Sequence, residues 1–494
     1  MKKSIIYLVA AALVGLLTLN SCEELESWVP GIDITDGDNG DNGDHKEDEE
    51  KPDDKPGEGE GGADVVVPEG LAYVWDFDVI PEIHLEFKLD QWNSLLAKFD
   101  KDNKTKEYVK CDVTYKKGSD VFEIKDAGIR LRGNTSRRRP EGGSGEHVKD
   151  TKDWKHCHFG LNLRKYVKDD AHQIHGIRKM NLKWFNNDPA YVREVFSYDL
   201  FERAGVWTAS QICYARLWLH VEGDAEPVYY GVYSMIEPYD NKYLERKPSF
   251  GSANGNLWKC SYTSNGPADL RNPDANFGKD DNVHDFTYEL KETGGNFADA
   301  KSQLQDFIRK LNGKDDESFK AWFSEICDVN LFLKTYAVNV ALGMWDDHWN
   351  NGNNYYLYFN SLDKENYKLF FLPYDYDNTL GTSNTYDPAK QNPLEWGTMG
   401  KLMRRVIKIP EFKAIYVAEL KKLVDPANGL MDYDSASKRV LEWQDRIKDY
   451  VSNDTGEDMA IVDTDASWSG YDYHLIDKNK NFFIEKANAI KNIK

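Results

Sequence analysis

Asp346-Asp347-His348-Trp349-Asn350-Asn351-Gly352-Asn353-Asn354 and Leu372-Pro373-Tyr374-Asp375-Tyr376-Asp377 are the two stretches of this chain whose residue types and spacing suit chemistry. Phosphoryl transfer needs an acid to orient the attacking hydroxyl. It also needs an amide oxygen and a carboxylate to hold the metal ions that neutralise the phosphates. An Asp, an Asn a few residues on, a strand, a turn and another Asp is the order in which kinase-like sites supply those groups. Asp347 is the expected orienting or deprotonating residue, with Asp346 its immediate rival. Asn354 would offer its amide oxygen to Mg²⁺ or Mn²⁺, with Asp375 and Asp377 as carboxylate ligands, because hard oxygen donors suit these ions.

Bland readings of the same residues stand beside these. Either Asp346 or Asp347 could simply end a helix, and Asp-Tyr-Asp could be a turn-capping pair. In common kinases four residues separate the Asp from the Asn, whereas six lie between Asp347 and Asn354. The Asn350–Gly352 loop must then bulge, or Asn351 serves with Asp346. His348 has no second histidine near it in sequence and reads as structural. The 14 Trp and 28 Tyr fall mostly at core spacings, so packing explains them first.

The elements that must position these groups are legible as periodicities. Strand patterns cover 82–88, 108–115, 122–131, 158–163, 179–184, 213–221 and 228–237, with helices over 90–99 and 191–205. A polar stretch rich in Gly and Asn follows at 249–282. Helical spacing then predicts 298–311 and a long run over 317–345 that breaks near Asp328. Residues 355–359 and 367–372 read as a short hairpin, and 398–424, 433–452 and 481–492 as helices. The expected fold class is α+β: a β-rich N-terminal lobe over 66–245 and a mainly helical lobe over 246–494 that carries both clusters.

Four segments, taken together and in order, resemble the CotH kinase family (spore-coat protein H and its relatives). They are Arg130-Leu131-Arg132-Gly133-Asn134-Thr135-Ser136, Tyr230-Gly231-Val232-Tyr233-Ser234-Met235-Ile236-Glu237, Asn353-Asn354-Tyr355-Tyr356-Leu357-Tyr358, and Leu372-Pro373-Tyr374-Asp375-Tyr376-Asp377. The resemblance implies an atypical protein-kinase-like fold that transfers the γ-phosphoryl of ATP, with a divalent metal, to Ser or Thr hydroxyls of secreted or surface proteins. Fungal relatives that act as surface adhesins give the alternative, a non-catalytic adhesion or glycan-binding module. Gly133 lets the backbone approach phosphates, and Asn134, Thr135 and Ser136 could donate to them. Lys155, placed where the family has a basic residue before a strand, is the candidate for pairing with the α/β-phosphates, and Lys183 is its rival. Glu194 would hold whichever lysine serves, and Glu237 would face the adenine. Each of these charges has a plain solvated-surface reading as well.

The rest of the chain bounds the setting. Lys2 and Lys3 followed by apolar Ile5–Leu19 form a targeting segment too short to span a bilayer. It closes on Leu19-Asn20-Ser21-Cys22, so 1–21 reads as a lipoprotein signal peptide and Cys22 as the lipidated residue, anchored at the outer membrane or cell surface. Residues 22–65 read as an acidic disordered tether, carrying 17 Asp or Glu against three Lys over 23–64. The chain carries a net charge of −21 and no extended basic stripe, so nucleic acid is not an expected partner. Cys111, Cys157, Cys213, Cys260 and Cys327 are scattered with neither metal-ligand nor disulfide-framework spacing.

Overall fold

Seven strands close on themselves around the first of the cores. The computed structural model describes residues 69–279, 281, 285–466 and 468–493; the signal, lipidation and tether readings at 1–65 lie outside them. The barrel is built from β1 (Glu82–Phe87), β2 (Val109–Lys117), β3 (Asp120–Arg132), β4 (His158–Asn162), β5 (Lys179–Lys183), β6 (Ile212–Val221) and β7 (Val228–Ile236). Their order is β1-β2-β3-β4-β5-β7-β6. All neighbours run antiparallel except β1 and β6, whose parallel register from Glu82↔Arg216 to Phe87↔Val221 completes the closure. A closed sheet leaves no unpaired edge. The fold is α+β, and its β-rich part is a closed barrel.

Strand alternation decides what the barrel shows to its neighbours. Ile129 and Leu131, Phe159 and Leu161, and Met180 and Leu182 point into the barrel core. With a side-chain period of two, Arg130 and Arg132, His158 and Gly160, and Lys183 fall on the outer face of the same three adjacent strands. Gly160 is needed there, because a Cβ would meet the Arg132 side chain at 2.8 Å. Helices α1 (Glu69–Trp75) and α2 (Leu89–Lys101) cover the barrel, and Trp92 of α2 is fully buried with its Nε1 donating to Glu141 Oε2 at 2.8 Å.

Between β5 and β6 the chain makes α3 (Arg193–Arg203), buried from Arg193 to Phe201. Its apolar residues join Tyr214, Val232 and Ile236 of the barrel to a second, larger core. α4 (Asn241–Glu245) packs in a third, smaller cluster through Tyr243 and Leu244, while the larger core is completed by α5 (Phe297–Gly313), α6 (Asp316–Ile326), α7 (Val329–Ala341), α8 (His348–Asn351), α9 (Lys401–Val406), α10 (Pro410–Leu423), α11 (Tyr433–Ile447) and α12 (Phe482–Lys491). The long helical run over 317–345 does break at Asp328, whose carboxylate caps α7 by accepting from Leu331 N. No helix among the described residues is long and apolar enough to cross a membrane.

The expected hairpin at 355–372 proves to be one end of a five-stranded sheet. β8 (Asn256–Cys260), β9 (Phe277–Lys279), β10 (Tyr288–Thr293), β11 (Tyr355–Phe359) and β12 (Leu369–Pro373) lie in the order β12-β11-β8-β10-β9. Three of these strands come from or border the segment that read as polar and irregular. Their polar residues face the cleft or pair across strands, which blurs the apolar alternation. All five cysteines in the described residues are free and buried.

The start of α3 is fixed by one ion pair. Arg193, fully buried, donates from its backbone N to Asp188 Oδ2 at 2.8 Å, and its guanidinium is bonded to Asp188 Oδ1 and to Thr464 O at 3.0 Å. Removing one partner of a buried pair strands the other charge. The Asp188→Ala variant is therefore expected to lose about 3–5 kcal/mol of stability, read as a lowered urea midpoint with an unchanged slope.

Candidate functional site

A cleft of about 810 Å³ opens over the outer face of β3, β4 and β5, with the ends of β8 and β11 and the turn after β12 on its other side. At its floor Lys183, the last residue of β5, is only 8% exposed. Its Nζ lies 2.7 Å from Glu194 Oε2 on the first turn of α3, 2.5 Å from Asp375 Oδ1 and 3.3 Å from Asp377 Oδ2. Burial works against the ammonium, but Asp375, Asp377 and Glu194 outweigh it and hold Lys183 well above the ordinary lysine range. One cation therefore serves three carboxylates, and the carboxylates divide accordingly. Burial opposes ionisation of Asp375, yet Lys183 brings it down to about 2. Asp377 is pushed up to about 8 by burial and by the neighbouring charges of Asp375 and Glu194. Both keep about a third of their side-chain surface open to the cleft, at 36% and 32%.

Asp346 and Asp347 are adjacent in sequence and are placed quite differently. Asp346 lines the cleft, and three amides converge on it: Asn351 Nδ2 at 2.5 Å, Asn353 Nδ2 at 3.1 Å and Asn354 Nδ2 at 3.0 Å. Burial raises it to about 6, against the pull of those amides. Asp347 does not line the cleft. It caps α8 by accepting from Asn350 N at 2.7 Å, accepts from Asn339 Nδ2 at 2.6 Å, and is 3% exposed. Of the two rivals, Asp347 was expected to meet an acceptor, but the cap turns its carboxylate inward and leaves Asp346 as the one that lines the cleft. The extra residues between Asp and Asn are taken up by α8 and by Gly352 in the left-handed region.

Asn354 donates to Asp346 O and Oδ2, which turns its Oδ1 away from that contact. Asn354 (φ 56°) and Asp375 (φ 62°) both hold left-handed backbone conformations, a strain of about 1–3 kcal/mol each that persists only where surroundings enforce it. Asp375, Asp377 and Asn354 all line the same cleft, where their oxygens are hard donors. No group of three or more His, Cys, Asp or Glu forms a metal cage among the described residues. Two carboxylates and an amide in one cleft are donors that would suit Mg²⁺, which binds through one or two carboxylates plus substrate phosphates.

The barrel side supplies cations. Gly133 (φ +105°) makes the turn after β3, where a Cβ would come within 2.9 Å of Arg137 N, and Gly133, Asn134, Thr135 and Ser136 all line the cleft. Arg132 donates to Tyr374 Oη at 2.9 Å, and Lys259 of β8 lies 5.3 Å over the same ring. Lys259 was missed from sequence because its strand was. Lys155 is elsewhere: it reaches Gly142 O at 3.2 Å and Asp153 at 3.7 Å in the loop before β4. The lysine that Glu194 holds is Lys183. Glu237 is buried against Arg246 at the end of β7 and is not among the cleft-lining residues. His348 is buried, with its Nδ1 3.3 Å from Ala268 O, and burial takes it down to about 3.

At Asp377 a bound cation competes with the proton that burial favours. The carboxyl's value of about 8 in the folded chain stands above the ordinary 3.8. Folding therefore favours the protonated form, and the stability this gives is present at low pH and lost as pH rises toward 8. Metal supplied from outside replaces that proton. The affinity for Mn²⁺ is expected to rise roughly tenfold between pH 6.5 and 8 and then level off, and Asp377→Asn should flatten the profile. Titration by Mn²⁺ paramagnetic resonance at several pH values checks both.

Comparison with known proteins covers the same ground. A family described as CotH kinase protein matches residues 129–481, from β3 to the cap of α12, and so includes every cleft residue named above from Arg130 to Asp377. No curated protein matches the chain. With most of its length under that match, the chain belongs to the CotH kinase family.

Proposed function

We infer that this protein is an ATP-dependent protein kinase that moves the γ-phosphoryl group to Ser or Thr hydroxyls of secreted or surface proteins. The observation that carries the reading is the Lys183 ammonium, held by Glu194 of α3 and facing Asp375 and Asp377 across from Asp346. A lysine paired to a helix glutamate, with a metal-binding Asp beside it, is the arrangement by which kinases position a nucleotide's phosphates. The CotH family match supports the same chemistry. ATP with Mg²⁺ or Mn²⁺ would supply the phosphoryl group and the neutralising charge.

The chain's own residues do the rest. Lys183, Arg132 and the Gly133–Ser136 turn offer cations and donors to the phosphates. Asp375, Asp377 and Asn354 offer the metal its oxygens. Asp346, fixed by three amides, accepts the acceptor hydroxyl's hydrogen bond and takes its proton as the new O–P bond forms. The bond between the γ-phosphorus and its bridging oxygen breaks, and ADP leaves. A carboxylate near pH 6 is a suitable acceptor for that proton, since the step is mostly positioning and charge neutralisation. The signal and Cys22 support a lipid-anchored enzyme at the outer membrane or cell surface, acting on neighbouring surface proteins.

Purified protein, beside Asp375→Ala and Asp346→Asn, is incubated with γ-labelled ATP, Mg²⁺ or Mn²⁺, and a Ser-rich acceptor. The native protein should label itself or the acceptor only when metal is present. Both variants should lose about 100-fold or more in kcat, and Asp346→Asn should keep its KM for ATP. Absence of label together with absence of metal-dependent ATP binding would overturn the kinase reading and favour a surface adhesion module.

A further inference from the structure

The carboxylate that does not reach the cleft is tied to the loop that does. Asn339, on the last full turn of α7, donates from Nδ2 to Asp347 Oδ2 at 2.6 Å. Its Oδ1 accepts from Tyr376 Oη at 2.7 Å. Asp347 Oδ1 accepts from Asn350 N at 2.7 Å, and Asp347 O accepts from Asn351 N at 2.9 Å and Asn353 N at 3.2 Å. Asn339, Asp347 and Tyr376 are 2%, 3% and 2% exposed. Tyr376 stands between Asp375 and Asp377, and Asp347 stands next to Asp346. A chain of two side-chain hydrogen bonds therefore runs from the acceptor-facing loop to the metal-facing loop, through one amide.

We propose that Asn339 is a positioning residue that sets the spacing between Asp346 and the Asp375–Asp377 loop. The proposal rests on the kinase reading for its catalytic consequence but not for its structural one. Asn339 joins a carboxylate, which only accepts, to a tyrosine hydroxyl by donating on one branch and accepting on the other. Leucine fills the space and breaks both bonds. The pair is also exchangeable in principle. With Asn339→Asp and Asp347→Asn together, the amide at 347 donates to the carboxylate at 339. That carboxylate still accepts from Tyr376, and the amide oxygen at 347 still accepts from Asn350 N. All three hydrogen bonds survive the swap, whereas any chemistry performed by a carboxylate at 347 would not.

The test compares native protein, Asn339→Leu, Asp347→Asn and the double swap by hydrogen exchange over 345–354 and 374–381, and by kinase kinetics. Each single variant is expected to exchange at least about tenfold faster in both segments. Each should lose about 100-fold in kcat, the scale of a misplacement near 1 Å, with KM for ATP within about threefold of native. The double swap should restore exchange and most of kcat. A local packing role alone would disturb 345–354 and leave 374–381 unchanged, and that result overturns the proposal. Failure of the swap to restore protection at 374–381 overturns it as well. If native protein transfers no phosphoryl group, the kinase reading falls while the exchange data still decide the link. Restored protection with kcat still lost would show that the carboxylate at 347 is used directly, which also overturns a purely positioning role.

Discussion

One ammonium shared by three carboxylates sets the terms for the rest of the structure. Lys183 ends a barrel strand, Glu194 begins a helix packed against that barrel, and Asp375 and Asp377 lie on a turn that leaves a different sheet. A charge taken out of water needs partners close by and well aligned, so the barrel, α3 and the second sheet must all be in register before Lys183 is satisfied. Within that contact, burial and the charges of Asp375 and Glu194 push Asp377 up to about 8, so a cation bound there would compete with a proton.

The supports of this contact are themselves buried and polar. The Asp188–Arg193 pair pins the start of α3 immediately before Glu194. Ser197 Oγ of the same helix lies 3.1 Å from Thr379 Oγ1, and Tyr198 Oη accepts from Asp375 N at 3.2 Å. Asn339 links the same turn to the Asp346 loop. Buried networks of this kind rigidify when every member is satisfied. They account for how Asn354 and Asp375 are kept in left-handed conformations that neither residue adopts cheaply.

The cleft's two sides are made by different rules. On the barrel, alternation along β3, β4 and β5 sends apolar residues inward and leaves Arg132, His158 and Lys183 on one outer face. On the other side, short loops between β11, β12 and α8 carry amides and carboxylates whose direction depends on single caps and turns. Asp346 and Asp347 show how sharp that dependence is. A helix cap of one turn sends one carboxylate to the cleft and the next into the core.

The sequence by itself determined the order of strands and helices over most of the chain, and the two clusters that meet in the cleft. These are local properties: periodicity writes the element, and Gly, Asn and Asp write the turns. It also marked Gly133, Lys183, Glu194, Asn354, Asp375 and Asp377 as residues to watch. Closure of the barrel through parallel β1 and β6 was decided only in three dimensions, since those strands lie some 130 residues apart and no local pattern records their pairing. So was the five-stranded sheet, because β8, β9 and β10 are short and β8 and β10 carry polar residues toward the cleft. Which of Lys183 and Lys155 meets Glu194, and which of Asp346 and Asp347 lines the cleft, was decided there too. Two like residues in one sequence neighbourhood have the same chemistry, and only their partners in space, Glu194 for one and Asn339 for the other, make them different.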